Sequence, residues 1–109
     1  MSDPSLPVTP LVLDDEHAAL FTVGQVAEIL GVQPAFVRRL DTEQVVSPQR
    51  SAGGQRRYSR HEIGQIQAVS TMAGDGMTLA GIRRILVLEA EVASLRAEIA
   101  ELRGDAPDP

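Results

Sequence analysis

Apolar positions along the chain change their period several times, and each change marks an element. Val26, Ala27, Ile29 and Leu30 recur at helical spacing and predict the buried face of a first helix. Just before them, Thr22 and Gln25 have the spacing of a capping box, and Phe21 and Val26 that of a hydrophobic staple. Gly31 ends this helix near Leu30, because glycine takes the left-handed conformation that helix C-termini favour. A turn over 31–33 follows, and Pro34 suits the first turn of a second helix, where its missing N–H would have no intrahelical partner. That helix presents Phe36, Val37 and Leu40 inward and leaves Arg38 and Arg39 on its outer side. Two short helices joined so tightly form a helix-turn-helix.

The helical period then disappears. Residues 47–59 read SPQRSAGGQRRYS, a proline-opened turn and a hairpin tipped by Gly53 and Gly54, carrying Arg50, Arg56, Arg57 and Tyr58. Helical spacing resumes with a second capping-box pair, Ser59 and Glu62, followed by Ile63, Ile66, Val69 or Ser70, and Ala73, until Gly74 and Gly76 stop it. Thr78 caps a fourth, long helix, with Met77 and Ile82 at staple spacing. The expected fold is mainly α with a small β-hairpin wing: a winged helix-turn-helix followed by a long C-terminal helix.

Along that last helix Ile85, Leu88, Val92, Leu95, Ile99 and Leu102 alternate steps of three and four, the seam of a coiled coil. β-Branched residues at a and leucine at d favour two strands, so a homodimer is expected. Glu91 and Glu98 fall at g, and Arg96 and Arg103 at e. In a parallel pair each glutamate meets an arginine of the partner, whereas an antiparallel pair sets like charges together, so the charges favour a parallel coil.

These elements divide the chain into an acidic, proline-containing tail (1–20), a winged helix-turn-helix domain (21–76), a dimerisation helix (77–103) and a short C-terminal tail (104–109). Within the first tail, Leu11, Val12 and Leu13 precede three acids; the segment is read as a disordered leader rather than a docking peptide. With 109 residues the chain has room for one small domain and extensions. It has no cysteine, which excludes disulfides and thiolate metal sites. No apolar run approaches the roughly 20 residues needed to span a bilayer, and no basic segment leads into an apolar one, so a cytoplasmic, nucleoid-associated protein without a membrane partner is expected.

The net charge of -5 conceals a strong polarity. Residues 1–34 hold five acids and no base; residues 35–84 hold eight arginines against Asp41, Glu43, Glu62 and Asp75; the remainder is acidic again. Every basic residue is arginine, which suits bidentate contacts to phosphate or guanine, although a bias in base composition of the genome accounts for that equally well. A basic middle on a wing and an outward helix face points to double-stranded DNA.

TVGQVAEILGVQP, FVRRLD, SAGGQRRYS and MTLAGIRRILVLE, in this order and spacing, resemble the helix-turn-helix, recognition helix, wing and start of the dimerisation helix of MerR-type transcriptional regulators, and within them the HspR heat-shock repressor group. The resemblance covers residues 21 to about 103. It implies a homodimer reading an inverted repeat in promoter DNA, with helices in two major grooves and wings on the flanking backbone. It also implies an antiparallel coil, against the charge pattern, and the family precedent carries the greater weight. For the HspR group it implies repression, with an ATP-dependent chaperone as corepressor. Three positions depart from the family: Arg39 and Leu40 stand where an aromatic pair is common, and Gln44 replaces the glycine that normally precedes the wing. The chain ends in RGDAPDP soon after the coil, so no effector-binding domain is expected.

The candidate DNA-binding residues are therefore Arg56, Arg57 and Arg50 on the wing, Arg38 on the second helix for the backbone, and Gln33, Ala35 and Arg39 for base edges. Tyr58 either places its hydroxyl on DNA or packs under the wing. Arg83 and Arg84 are expected to pair with acids of the same chain. His17 and His61 lack carboxylate or thiolate partners at metal spacing, so neither metal nor cofactor is expected, and nothing resembles a nucleophile with its base, so an enzyme is not expected. Two other readings are an adaptor that binds a chaperone, polymerase subunit or sigma-type protein, motivated by the acidic ends and the Arg39–Leu40 departure, and an excisionase-like DNA-bending factor.

Overall fold

The computed structural model describes residues 15–104. Most of the expected N-terminal leader, including Leu11–Leu13, and the last five residues lie outside them. The elements follow in the order α1 (Val23–Leu30), α2 (Pro34–Thr42), β1 (Gln49–Arg50), β2 (Arg56–Arg57), α3 (Arg60–Gly74) and α4 (Leu79–Leu102). The expected mainly helical fold with a hairpin wing and long terminal helix is what the chain adopts.

Each helix begins where a side chain satisfies its unpaired N–H groups. Thr22 and Gln25 form a complete capping box on α1, as do Ser59 and Glu62 on α3, and Thr78 accepts from the Gly81 N–H at the start of α4. Gln33, the N-cap of α2, makes no such bond, and Pro34 opens that helix instead.

Three helices end the same way, in the two-bond Schellman pattern. For α1, Gly31 donates to Glu28 O and Val32 to Ala27 O; for α3, Gly76 donates to Ala73 O and Met77 to Met72 O. For α2, Gln44 donates to Asp41 O (3.0 Å) and Val45 to Leu40 O (2.8 Å). The left-handed residue is glycine in the first two, with φ of 67° and 93°, but Gln44 in the third, with φ of 59°. A non-glycine residue there costs about 1–2 kcal/mol, and glycine loses part of that gain to unfolded-state entropy. Gln44→Gly is therefore expected to raise stability by about 0.5–1 kcal/mol, read from chemical denaturation at unchanged m-value; a loss would show that the Gln44 side chain supports the turn.

The core joins Val26, Ala27, Val37, Leu40, Val45, Val46, Tyr58, Ile66, Val69 and Ile82. Val45 and Val46 follow the α2 turn directly and were not legible as core from any period. Ile29 departs from expectation: it is 56% exposed, because the face that α1 buries is the 23, 26, 27, 30 stripe, and position 29 lies beside it. Leu40, one of the departures from the family pattern, is fully buried and fills the core.

β1 and β2 pair antiparallel, Gln49 opposite Arg57 and Arg50 opposite Arg56. Ser51 and Gln55 close the ribbon, and Gly54, with φ of 83°, turns its tip. A third segment extends it. Phe21 exchanges both backbone bonds with Tyr58 (2.9 and 2.7 Å), and Leu20 N–H donates to the Tyr58 carbonyl (3.0 Å). The Glu16 carbonyl accepts from His61 N–H (2.9 Å), one of the unpaired donors of α3. Residues 15–20, assigned by sequence to the tail, are thus bonded to the wing and to α3.

α4 leaves this unit as a lever of about 36 Å, from 24 residues at about 1.5 Å each. Only its first turns dock, through Leu79, Ile82 and Leu86. No helix among the described residues is long and apolar enough to cross a membrane.

Candidate nucleic-acid interface

The wing folds against α2 so that Arg38, Arg50, Arg56 and Arg57 line one groove of about 310 Å³, together with Thr22 and Gly24 at the start of α1. Four arginines, from α2 and both strands of the wing, thus line one groove with the positive end of a helix dipole, an arrangement that attracts polyanions. Sequence spacing placed the arginines on wing and helix; the contribution of the α1 N-terminus was missed, though its capping box was the signal.

The arginines differ in what already holds them. Asp41 Oδ2, on α2, accepts from Arg56 Nε (2.7 Å) and Arg50 Nη2 (2.9 Å). The carboxylate is only 14% exposed and ties the wing to α2. Arg50 Nη1 also reaches the Gly54 carbonyl at the hairpin tip (3.4 Å). Arg57 donates to its neighbour's carbonyl and to Gln55 Oε1. Among the described residues, Arg38 and Arg57 make no ion pair. They are the two wing-side guanidiniums with charge to spare.

Gln33 and Ala35 stand exposed at the start of α2, and Arg39 lies exposed further along it, held by Glu43 (2.7 Å) one turn on. Such an i,i+4 surface pair is worth under about 1 kcal/mol and yields readily to a better partner. Among the described residues Arg83 and Arg84 make no ion pair; the positions three and four away from them are Leu, Ala, Gly and Val, so no acid stands at helical reach.

Tyr58 is corrected from DNA contact to packing. It is fully buried beneath the ribbon, and its hydroxyl has no hydrogen-bond partner among the described residues. Burial, seconded by the charge of Asp41, pushes its pKa from 10.0 up to about 12, with Arg56 opposing. The raised phenol pKa has no effect on stability below pH 10, where both states are neutral, and erodes stability as pH rises towards 12, because the unfolded chain ionises first. Tyr58→Phe is expected to leave stability at neutral pH unchanged or higher, since it removes an unsatisfied group. The variant should also lose on the order of 2 kcal/mol less than the parent between those pH values, measured by urea titration.

α4 shows the expected seam. Leu88, Val92, Leu95 and Ile99 are each 42–52% exposed and Leu102 81%, while Ile85, nearest the domain, is half-buried. An apolar stripe of this length on a projecting helix is an exposed patch of the kind that marks interaction surfaces.

His17 and His61, which sequence left isolated, are neighbours. Their rings lie 4.8 Å apart, and Glu16 sits beside both.

Residues 21–88 match the family described as MerR HTH family regulatory protein. The chain belongs to the MerR family. Among MerR-related proteins it is 40% identical over 82 residues to the putative heat shock protein HspR of Streptomyces coelicolor, covering 74% of this chain and 54% of that protein. It is 25% identical over 76 residues to the HTH-type transcriptional regulator GlnR of Bacillus anthracis, covering 70% and 59%. The chain thus spans a little over half the length of these relatives. A MerR-family transcriptional regulator from Bacillus cereus shares the fold with a TM-score of 0.57 at 18% identity, over 77% of this chain and 67% of that one. In this MerR chain, Gln44 takes the left-handed position that ends α2 before the wing, as the two-bond turn there requires.

Proposed function

We propose that the protein is a sequence-specific, dimeric DNA-binding transcriptional regulator of the MerR and HspR kind, acting as a repressor on inverted-repeat promoter DNA. The observation that carries this reading is the convergence of Arg38, Arg50, Arg56 and Arg57 in one groove at the start of α1. Arg38 and Arg57 take phosphates directly, and Arg50 and Arg56 exchange Asp41 for phosphate as the wing meets the backbone. Gln33, Ala35 and Arg39, on the exposed side of α2, face base edges in the major groove. The seam from Ile85 to Leu102 pairs two chains, so that two α2 helices present themselves to two half-sites. Names of the relatives support regulation of transcription and, for HspR, a link to the heat-shock response; a chaperone corepressor is proposed from the resemblance to the HspR group. The protein would then reside with the chromosome in the cytoplasm.

The test is affinity selection of fragmented source genome by the purified protein near physiological salt, with sequencing of the retained fragments. Sharp peaks over inverted repeats at promoters support the reading. Flat recovery, with a stoichiometric protein partner surviving nuclease treatment in a pull-down, would replace it with the adaptor. Arg39→Ala is expected to alter the recovered consensus, because a base contact selects sequence while a phosphate contact does not.

A further inference from the structure

We propose that Glu16, His17 and His61 form a binding site for one zinc-class divalent cation (Zn²⁺, Ni²⁺ or Co²⁺), bridging the segment before α1 to the first turn of α3. Two imidazoles and a carboxylate are a donor set that such ions favour, with a fourth position open to water. Glu16 Oε2 lies 3.4 Å from His17 Nε2 and 3.5 Å from His61 Nδ1. These contacts are longer than the hydrogen-bond optimum of about 2.9 Å. They match the edge of a tetrahedron whose metal bonds are about 2.0–2.1 Å, which is about 3.3 Å. One donor atom from each residue lies within 4.8 Å of the others, so the third edge has to shorten on binding, and the exposed His17 side chain has room to move.

These positions are already held without help from the three ligand side chains themselves. The Glu16 carbonyl accepts from His61 N–H (2.9 Å), and Asp15 Oδ1 accepts from His17 N–H (2.9 Å). The ligands therefore come pre-gathered, and only side-chain freedom is lost on binding. Exposure of all three groups, with water as competitor, points to micromolar rather than tighter affinity. Continuity with Leu20 and Phe21, which bond to Tyr58, makes the cation a brace on the segment that flanks the wing.

The chain contains two histidines and no cysteine, so imidazole binding has no other source. The full chain without a polyhistidine tag, stripped with chelator, is titrated with ZnCl₂ and NiCl₂ by calorimetry, with imidazole NMR resonances followed in parallel. The expected result is one cation per chain, both imidazoles shifted together, a raised Tm with zinc, and no effect of Mg²⁺, which prefers all-oxygen shells. His17→Ala and His61→Ala should each weaken binding at least about 100-fold, since even outer-shell partners of metal ligands contribute about 10–100-fold. Both variants lie on the surface, and their folding is checked by unchanged circular dichroism. No uptake at about 100 μM zinc, one cation per two chains, or undiminished binding by the double variant would each overturn the assignment. DNA is absent from the titration, so its outcome is independent of the proposed regulation.

Discussion

Val92→Lys combined with Leu95→Lys is expected to yield a folded monomer that binds its DNA site about 10³-fold more weakly, within the 10²–10⁴ that linking two binding units contributes. The substituted positions lie beyond Leu86, the last residue of α4 packed on the core, so the domain keeps its own support. Each lysine places a charge on a seam that is 44% and 52% exposed in the single chain and covered in a pair. Four ammonium groups within about two helical turns of one another repel, and their desolvation opposes pairing. Sedimentation equilibrium gives the mass, and circular dichroism verifies the fold. If the variant remained a dimer, the seam would not be the interface, and the proposed geometry of two half-sites would have to be rebuilt on another surface.

Affinity for DNA is expected to collapse with salt. Two protomers neutralising about eight phosphates give a log–log slope of about -7, so affinity falls on the order of 10⁴-fold between 50 and 200 mM salt. Arg38, Arg50, Arg56 and Arg57 from two chains supply that count. Because every substitution in a homodimer acts twice, Arg57→Ala should make the slope shallower by about 2, and should weaken all sequences alike. Asp41 refines the expectation: where it retains Arg50 and Arg56 in the complex, those arginines release no counterions and the slope falls towards that of Arg38 and Arg57 alone. Binding titrations at four salt concentrations decide the matter. A slope near zero would remove the groove from the interface altogether.

Helix boundaries were legible because their determinants are local. Thr22 with Gln25, Ser59 with Glu62, and Gly31 and Gly76 each act within four residues of one another or alone, and periodicity supplied the faces between them. For the candidate site, the sequence supplied the arginines to consider and not the connections among them. Arg56 meets Asp41, and His61 meets Glu16 and His17, only after the wing and α3 have folded back, and no spacing rule encodes such meetings. Tyr58 had two readings because its ring and its hydroxyl ask for opposite environments; burial satisfied the ring and left the hydroxyl without a partner. Val45 and Val46 escaped because two adjacent residues after a turn have no period to display.

Pairing of Phe21 with Tyr58 bears on how portable the wing is. A ribbon of two residues on each side is marginal by itself. Part of its order comes from a segment that precedes the first helix, and part from a carboxylate on the second. Transplanting QRSAGGQRRYS to another scaffold would carry Arg50, Arg56 and Arg57 and leave behind what aims them. A chimera that exchanges such wings between relatives must therefore exchange the leading segment and Asp41 with them, as a single discontinuous cassette.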